Sequence, residues 1–274
     1  MTTSRLRPPA LVAALVAVTL LLAAGCGSKD RPTLSGDTLP AASTDTGVTT
    51  TTAKQCTGLT GLGTGQSLVA TATIEGQLGI YANPGDATPT STMANPRLIN
   101  NDPNAKVPLT FLVADLPEAQ KCDWAQVYLP VRPNGSTGWV KSSEVQFAVN
   151  DYRVEVTLSA FSLKVFKDGQ QTEDIKVGVA RDNTPTPGGL YYTTELIKTP
   201  NPSGAYGPYA FGLSGFSDTL TTFNGGPGQL GIHGTNEPAA IGTQVSHGCI
   251  RMANDDITRL ARFLPLGTPV QIAA

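Results

Sequence analysis

Histidine is almost absent from this chain of 274 residues, which contains only His233 and His247. Tryptophan also occurs twice, and aromatic residues make up 6% of the chain. There is no excess of basic residues, because 19 Lys and Arg stand against 21 Asp and Glu. Without a basic patch for phosphates, we expect no nucleic-acid partner. The one long apolar run lies at the amino terminus.

The amino terminus has the composition of an export signal. Residues 1–9 carry two arginines and no acid, and Ala10–Ala24 is apolar apart from one threonine. That run is shorter than the about 20 residues that span a membrane. Its end, Leu22-Ala-Ala-Gly-Cys26, resembles the lipobox of bacterial lipoproteins. We expect residues 1–25 to be a signal peptide and Cys26 to carry a lipid that anchors the protein at the outer face of the cytoplasmic membrane. Free secretion and an uncleaved anchor are the alternatives.

Residues 26–55 are rich in Ser, Thr, Pro, Asp and Gly and poor in apolar residues. Such a segment buries too little apolar surface to offset the entropy of ordering it, so it is expected to be a flexible tether. The roughly 220 residues that follow exceed one typical domain of about 100 to 200 residues. We therefore expect two domains, 56–148 and 149–274.

The first domain alternates short apolar segments with turn-rich stretches, which is typical of a small all-β domain. Its end, Trp124-Ala-Gln-Val-Tyr-Leu followed by a turn and Gly138-Trp-Val, resembles the bacterial SH3-like domain. The resemblance implies a small β-barrel. In that family such modules sit beside cell-wall enzymes and either bind peptidoglycan or act as spacers. Both roles stay open, because Trp124 and Trp139 suit a core as well as a contact surface.

Cys56 and Cys122 both fall in the first domain. In an oxidising compartment this pair predicts a disulfide, and two separate buried thiols are the alternative. The pairing would leave Cys249 as a free thiol.

The second domain, residues 149–274, begins like a β-meander and ends with a short helix. Three stretches alternate polar and apolar residues: Arg153–Leu158, Ser162–Phe166 and Glu173–Val179. The glycine-rich, aromatic region 200–231 predicts long loops that line a site. Asn254 is expected to cap the helix, which runs on to Leu264, and Pro269–Ile272 to form a last strand.

The chemistry is concentrated where the two histidines flank a short segment that ends in Ser246-His-Gly-Cys-Ile-Arg251. A histidine exchanges protons near neutral pH and a deprotonated cysteine is a strong nucleophile, so the two can transfer an acyl group without a cofactor. We predict Cys249 as the nucleophile, a thiolate favoured by polar and cationic neighbours, and His233 as the proton acceptor and donor. Because Gly234 comes next, a backbone carbonyl is expected to orient the His233 ring.

Other residues of this segment have two possible roles each. Backbone N–H groups of Gly248 and Cys249 are candidates to bind the oxyanion, and His247 either helps or only fixes the loop. Ser246 and Arg251 belong to the site or are structural, with Ser246 tying the turn. Arg251 pairs with an acid such as Asp255 or Asp256, or binds a substrate carboxylate. Three aromatic residues line a substrate channel or pack in the core: Tyr206, Tyr209 and Phe211.

The stretches Ile232-His-Gly-Thr-Asn, Ile241-Gly, Ser246–Met252 and Asp182-Asn-Thr-Pro-Thr-Pro-Gly188 together resemble the L,D-transpeptidase (YkuD-type) catalytic domain of bacterial cell-wall enzymes. The resemblance covers about residues 150–273. It implies a mainly β protein, with a β-sandwich and a short helix after the catalytic cysteine. One difference is that some members have Asn two places after the cysteine, where this chain has Arg251.

The same resemblance implies the activity. Cys249 would attack peptidoglycan stem tetrapeptides, release the terminal D-alanine and pass the acyl group to an amine, forming cross-links at the cell wall. Carbapenem-type β-lactams would acylate the same cysteine, and no metal or cofactor would be needed. The alternatives are an L,D-carboxypeptidase on the same site and a non-catalytic wall-binding lipoprotein. A zinc site made of His233, His247 and Cys249 is disfavoured, since no helical His-x-x-x-His pair accompanies it.

Overall fold

The computed structural model describes residues 61–99, 104–117 and 122–274. Within these ranges the chain is mainly β, as predicted, with a single α-helix. The predicted signal peptide, the lipidated Cys26, the tether and Cys56 all lie outside the described residues. Nowhere in the described ranges is there a helix with the length and apolar character needed to cross a membrane.

Residues 67–150 form a five-stranded antiparallel sheet and two short ribbons. The strands are β1 Ser67–Ala72, β2 Gly76–Ile80, β3 Ser91–Asn95, β4 Arg97–Leu98, β5 Lys106–Val107, β6 Thr110–Asp115, β7 Trp124–Tyr128, β8 Thr137–Lys141 and β9 Val145–Asn150. The sheet has the order β8-β7-β6-β1-β9, while β2 pairs with β3 and β4 with β5. Leu78, Leu109 and Phe111 are fully buried in its core. The SH3-like classification of this sheet stays a prediction.

Residues 151–274 form a larger sheet and one α-helix. The elements are β10 Tyr152–Thr157, β11 Ser162–Lys167, β12 Gln170–Lys176, β13 Val179–Ala180, β14 Gly189–Lys198, β15 Tyr209–Phe216, β16 Gln229–His233, β17 Gln244–Ser246, β18 Ile250–Arg251, α1 Asn254–Leu260 and β19 Pro269–Ala273. Eight strands follow the order β12-β11-β10-β19-β14-β15-β16-β18, and β13 pairs with β17. Strands β10 to β12 are the antiparallel meander expected from the sequence.

The glycine-rich region 200–231 is not all loop, so that prediction was wrong in part. Its middle forms β15, which pairs with β14 on one side and β16 on the other. Gly212 and Gly215 fit this strand because a Cβ at either position would overlap a side chain of β14, Glu195 in the first case and Tyr191 in the second. Glycine here allows close packing and does not mark a turn.

The predicted cap of the helix was also wrong. Ala253 is the N-cap residue of α1, and no side chain caps the helix. Asn254 instead accepts a hydrogen bond from the N–H of Thr235, at 2.8 Å. The helix ends at Leu260, and its residues Ile257 and Leu260 are buried. Asn254 therefore ties the segment after β16 to the start of α1.

The two sheets belong to one compact unit. The Tyr192 hydroxyl of β14 donates a hydrogen bond to the Tyr128 carbonyl at the end of β7, at 2.9 Å. Arg97 of β4 forms an ion pair with the buried Glu195 of β14, at 3.3 Å. The smaller sheet and the β4–β5 ribbon thus contact β14, a strand of the larger sheet in which the site described next lies.

Candidate active site

Two parallel strands place Cys249 and His233 on one face of the larger sheet. The register of β16 and β18 pairs Ile232 with Ile250 and His233 with Arg251, so Cys249 comes next to Gly231. Alternate residues of a strand point to the same face, which Gly231 and His233 therefore share. A Cβ at Gly231 would lie 3.9 Å from the Cys249 sulfur. At about 3.3 Å of rise per residue, the backbone positions of Cys249 and His233 are about 7 Å apart along the strand direction, a separation that the two side chains together can span.

Both residues line one pocket beneath two loops. The lining residues are Ala205, Tyr206, Ser217, Leu220, Phe223, Asn224, Gly228, Gln229, Leu230, His233, Ser246, His247, Cys249 and Arg251. One wall comes from the loop between β14 and β15 and another from residues 217–228, between β15 and β16. The sequence-predicted region 200–231 therefore does supply walls of a pocket, through the parts that are not strand.

The imidazole of His233 is buried and held by its own backbone neighbour. Its Nδ1 lies 2.6 Å from the carbonyl oxygen of Gly234, the type of partner that the sequence predicted. Because a carbonyl can only accept, Nδ1 carries the proton in the neutral ring and Nε2 keeps its lone pair. Burial lowers the pKa of His233 to about 4, with Arg251 adding to the decrease and the Gly234 carbonyl opposing it. The ring is therefore a neutral base at neutral pH.

Cys249 is a free, partly buried cysteine. Burial raises the pKa of its thiol, while a backbone hydrogen bond from Gly231 and the charge of Arg251 act in the opposite direction. The direction of this pKa shift favours a resting thiol over the resting thiolate that the sequence predicted. The Arg251 cation favours the thiolate, but the free-energy cost of burying the thiolate charge is larger. The resting pair is a neutral thiol and a neutral imidazole.

Two hydroxyl groups hold the turn that carries Cys249. The Ser246 hydroxyl donates to the Cys249 carbonyl at 2.5 Å and accepts from the Gly248 N–H at 3.2 Å. The Thr186 hydroxyl donates to the Gly248 carbonyl at 2.8 Å. Gly248 has a φ of 129°, in the region that favours glycine. Ser246 thus ties the turn, and it engages one N–H that was predicted to bind the oxyanion. The role of Thr186 was not predicted, although it lies in the Asp182–Gly188 stretch.

Arg251 does not pair with the acids of the helix. Its guanidinium lies 3.0 Å from the Glu237 carboxylate, whereas Asp256 pairs with Arg259 one turn along α1, at 2.8 Å. The Nε of Arg251 is buried and has no hydrogen-bond partner among the described residues. Arg251 also lines the pocket.

The remaining predicted residues take different places. Tyr206 lines the pocket, its ring centroid 4.7 Å from that of His233, and its hydroxyl accepts from the Asn224 side chain at 3.3 Å. Phe211 is buried in the core, and Tyr209 packs against that core outside the pocket lining. His247 is exposed at the pocket, with its ring centroid 5.5 Å from that of Phe223.

Two further predictions concern the disulfide and the absence of a metal. Cys122 is disulfide-bonded. Its predicted partner Cys56 lies outside the described residues, so the pairing itself stays a prediction. Within the described ranges, no group of three or more His, Cys, Asp or Glu side chains is placed to hold a metal ion.

Comparison with known proteins identifies relatives of the segment that contains this site. Two are named "Putative L,D-transpeptidase YkuD", from Bacillus licheniformis and Bacillus subtilis. Each is 36% identical over 121 residues, which are 44% of this chain and 65% of the relative. The chain therefore spans less than two thirds of these relatives. A solved structure of the LD transpeptidase LdtMt1 in complex with imipenem is similar with a TM-score of 0.39 and 14% identity, over 73% of this chain and 100% of that chain.

Residues 151–272 match the family model YkuD, described as the L,D-transpeptidase catalytic domain. The matched segment contains His233, Cys249 and every other residue that lines the pocket. It makes up less than half of the chain. The family match and the two Bacillus relatives together support a YkuD-type L,D-transpeptidase catalytic domain in residues 151–272.

Proposed function

We propose that the protein is a peptidoglycan L,D-transpeptidase that works through an acyl-enzyme on Cys249. The observation that carries the proposal is the parallel pairing of β16 and β18, which brings a free thiol and a neutral imidazole to one pocket inside the segment that matches the YkuD model. A nucleophile, a base and an acceptor that orients the base are the parts that acyl transfer requires.

The first half-reaction starts from neutral partners. Nε2 of His233 takes the thiol proton as the Cys249 sulfur attacks the carbonyl of the third residue of a stem tetrapeptide. The tetrahedral intermediate then loses its C–N bond to the terminal D-alanine, and the imidazolium returns the proton to the leaving amine. The products are free D-alanine and a thioester. The Gly234 carbonyl holds Nδ1 throughout and stabilises the transient imidazolium.

The second half-reaction reverses the roles. An acceptor amine of another stem gives its proton to Nε2 and attacks the thioester. The C–S bond breaks, a new amide forms and the proton returns to the sulfur. If water replaces the amine, the same thioester is hydrolysed and the protein acts as an L,D-carboxypeptidase.

The oxyanion of each step needs donors close to the sulfur. We assign this to the Cys249 N–H, with His247 at the pocket rim as the side-chain donor. The Gly248 N–H already donates to Ser246 and contributes only if that contact opens. Arg251, which lines the pocket, is suited to a carboxylate or carbonyl of the stem.

The remaining predictions from the sequence describe where the enzyme would work. The protein would be exported, anchored through a lipid on Cys26, and separated from the membrane by the tether. The smaller sheet would be an SH3-like unit, closed by a Cys56–Cys122 disulfide, that binds wall or acts as a spacer. Carbapenems would acylate Cys249 as substrate mimics.

The test is turnover of a defined stem tetrapeptide by the purified protein. Mass spectrometry should show release of D-alanine, a thioester on Cys249, and a cross-linked dimer when an acceptor stem is present. A Cys249→Ser variant is the matched control, because it keeps the size of the side chain and weakens the nucleophile. D-alanine release without a dimer would identify a carboxypeptidase. Absence of both an adduct and turnover would leave the non-catalytic wall-binding alternative.

A further inference from the structure

One wall of the pocket is held by the other sheet. Residues 217–228, here called the wall loop, join β15 to β16 and place Ser217, Leu220, Phe223, Asn224 and Gly228 at the pocket. The turn between β7 and β8, residues 129–136, reaches the base of this loop with two side chains. They are those of Arg132 and Asn134.

Arg132 joins the two arms of the wall loop. Its guanidinium donates to the Ser217 carbonyl at 2.8 Å and the Leu220 carbonyl at 3.0 Å on the outgoing arm. On the returning arm it donates to the Pro227 carbonyl, at 2.8 Å. The guanidinium also lies 4.7 Å from the centroid of the Phe216 ring. A planar group with five fixed N–H donors suits three carbonyls that point toward one place.

Asn134 fixes the point where the loop leaves the sheet. Its side-chain amide donates to the Phe216 carbonyl at 2.8 Å, and its side-chain oxygen accepts from the Phe216 N–H at 2.8 Å. This reciprocal pair satisfies both backbone groups of the last residue of β15, as a neighbouring strand would. A weaker contact at 3.4 Å reaches Asp218.

The wall loop has few internal contacts that would replace these. Near its base, the Ser217 N–H donates to the Gly228 carbonyl at 2.8 Å. At its tip, Phe223 and Gly226 exchange two backbone hydrogen bonds of 2.9 Å. Between base and tip, most of the loop is exposed, so little apolar burial orders it. The Ser217 hydroxyl accepts from the N–H groups of Thr219 and Leu220, at 3.3 and 3.1 Å, which orders the start of the outgoing arm. Between base and tip, Arg132 supplies the hydrogen bonds that join the outgoing arm to the returning arm.

We propose that Arg132 and Asn134 are positioning residues for the pocket: the smaller sheet acts through them to hold the wall loop in the shape that a substrate meets. The inference deepens the proposed function, because the pocket in question is the proposed stem-peptide site. The smaller sheet is then part of the working enzyme, whether or not it also binds wall.

The test compares three variants of the full chain. Arg132→Met keeps the aliphatic stem and removes all three donors, Asn134→Ala removes the reciprocal pair, and Arg132→Lys keeps the charge without the fork. The matched control is Arg153→Met, since Arg153 also stacks on a phenylalanine, Phe166 at 3.8 Å, but does not touch the wall loop. Each protein is followed by amide hydrogen exchange and by the rate of Cys249 acylation with a carbapenem.

Arg132→Met and Asn134→Ala should raise amide exchange at residues 217–228 about tenfold or more, with no equal increase in β10 and β11. Acylation of Cys249 at low carbapenem concentration should fall by a similar factor, mostly through weaker binding. Arg132→Lys should recover part of both effects, because one ammonium group can reach fewer of the three carbonyls. Arg153→Met should change neither.

The proposal would be overturned if amide exchange in the wall loop were unchanged in both Arg132→Met and Asn134→Ala. An increase spread evenly over all strands, which indicates a general loss of stability, would overturn it too. Hydrogen exchange does not depend on turnover. If the protein fails to process stem peptides, the proposed function fails while the exchange result still decides the role of Arg132 and Asn134.

Discussion

Nδ1 of His233 lies 2.6 Å from the carbonyl oxygen of Gly234, the residue that follows it in the chain. The His233 ring is thus oriented by the backbone of the next residue. Its orientation therefore depends on the path of the chain at Gly234. That path is tightly confined. A Cβ on Gly234 would overlap the Asn254 side chain and lie 3.0 Å from the Gly207 Cα.

Gly234→Ala should therefore affect both stability and reactivity. The added methyl group has no space beside Asn254, so we expect a loss of about 1–3 kcal/mol in the free energy of unfolding, measured by chemical denaturation. The displaced carbonyl should also slow acylation of Cys249. Gly61→Ala is the control, because nothing lies within 4 Å of a Cβ there. Equal stability of the two variants would contradict the prediction.

Stability should fall as the pH decreases from about 6.5 to about 4. The pKa of His233 is lowered from 6.5 to about 4 by burial. Between these values the unfolded chain binds a proton that the folded protein excludes, so lower pH favours unfolding. The 2.5-unit difference corresponds to about 3 kcal/mol. Denaturation curves over this range should show the decline in the wild type and a smaller one in His233→Gln. The control His247→Gln, which removes an exposed histidine, should show the same decline in stability as the wild type. A decline in His233→Gln equal to that of the wild type would show that His233 is not its cause.

The thiol of Cys249 should titrate above its ordinary range. Burial raises its pKa, and Arg251 limits the increase. Ultraviolet absorbance of the thiolate should therefore rise only in alkaline solution, and Arg251→Met should move the transition to still higher pH. Cys249→Ser gives the background. A thiolate signal already present at pH 7 would contradict the burial argument and restore the interpretation made from sequence.

The Ser246 and Thr186 hydroxyl groups should stabilise the turn that carries Cys249 without taking part in proton transfer. Ser246→Ala removes two hydrogen bonds around Gly248 and Cys249, so we expect a loss of about 1–3 kcal/mol in the free energy of unfolding and slower acylation. Thr186→Val keeps the shape of the side chain but loses the bond to the Gly248 carbonyl, and should have a smaller effect of the same kind. Acylation at the wild-type rate in both variants would show that the turn holds itself.

The two partners of the Arg97–Glu195 ion pair should differ in how much their substitution lowers the free energy of unfolding. Glu195 is buried, whereas Arg97 is partly exposed. Arg97→Met leaves a buried carboxylate without its cation and should cost about 3–5 kcal/mol in the free energy of unfolding. Glu195→Gln leaves an arginine that water can reach, and the amide still contacts Gln229, so its cost should be smaller. Equal losses in the two variants would argue against this ordering.

The sequence predicted well what is local along the chain. Alternating polarity located β10 to β12, and the run around Cys249 predicted that this cysteine and the two histidines share one site, as they do at the pocket. Helical spacing located Ile257 and Leu260 on the buried face of α1. In each case the signal and the structure involve the same few neighbouring residues.

Contacts between distant residues were not predictable in this way. Gly212 lies in the region 200–231 that was predicted to be loop. It is instead in β15, where the Glu195 side chain of the neighbouring strand leaves no space for a Cβ. Pairing with a helix acid was one of the two roles predicted for Arg251, but Asp256 pairs with Arg259 and Arg251 pairs with Glu237. The pKa of Cys249 depends on burial by the whole fold rather than on its neighbours in sequence.

The ladder between β16 and β18 separates the alignment of the reacting groups from the connection that links them. The residues around 236–239 in that connection are exposed, and the two strand ends keep their register through Ile232 and Ile250. Insertions, deletions or grafted recognition segments at that outer stretch would therefore leave the sulfur and the ring aligned. This gives protein engineers, as it gives evolution, a stretch whose length and sequence can change while the two side chains stay aligned.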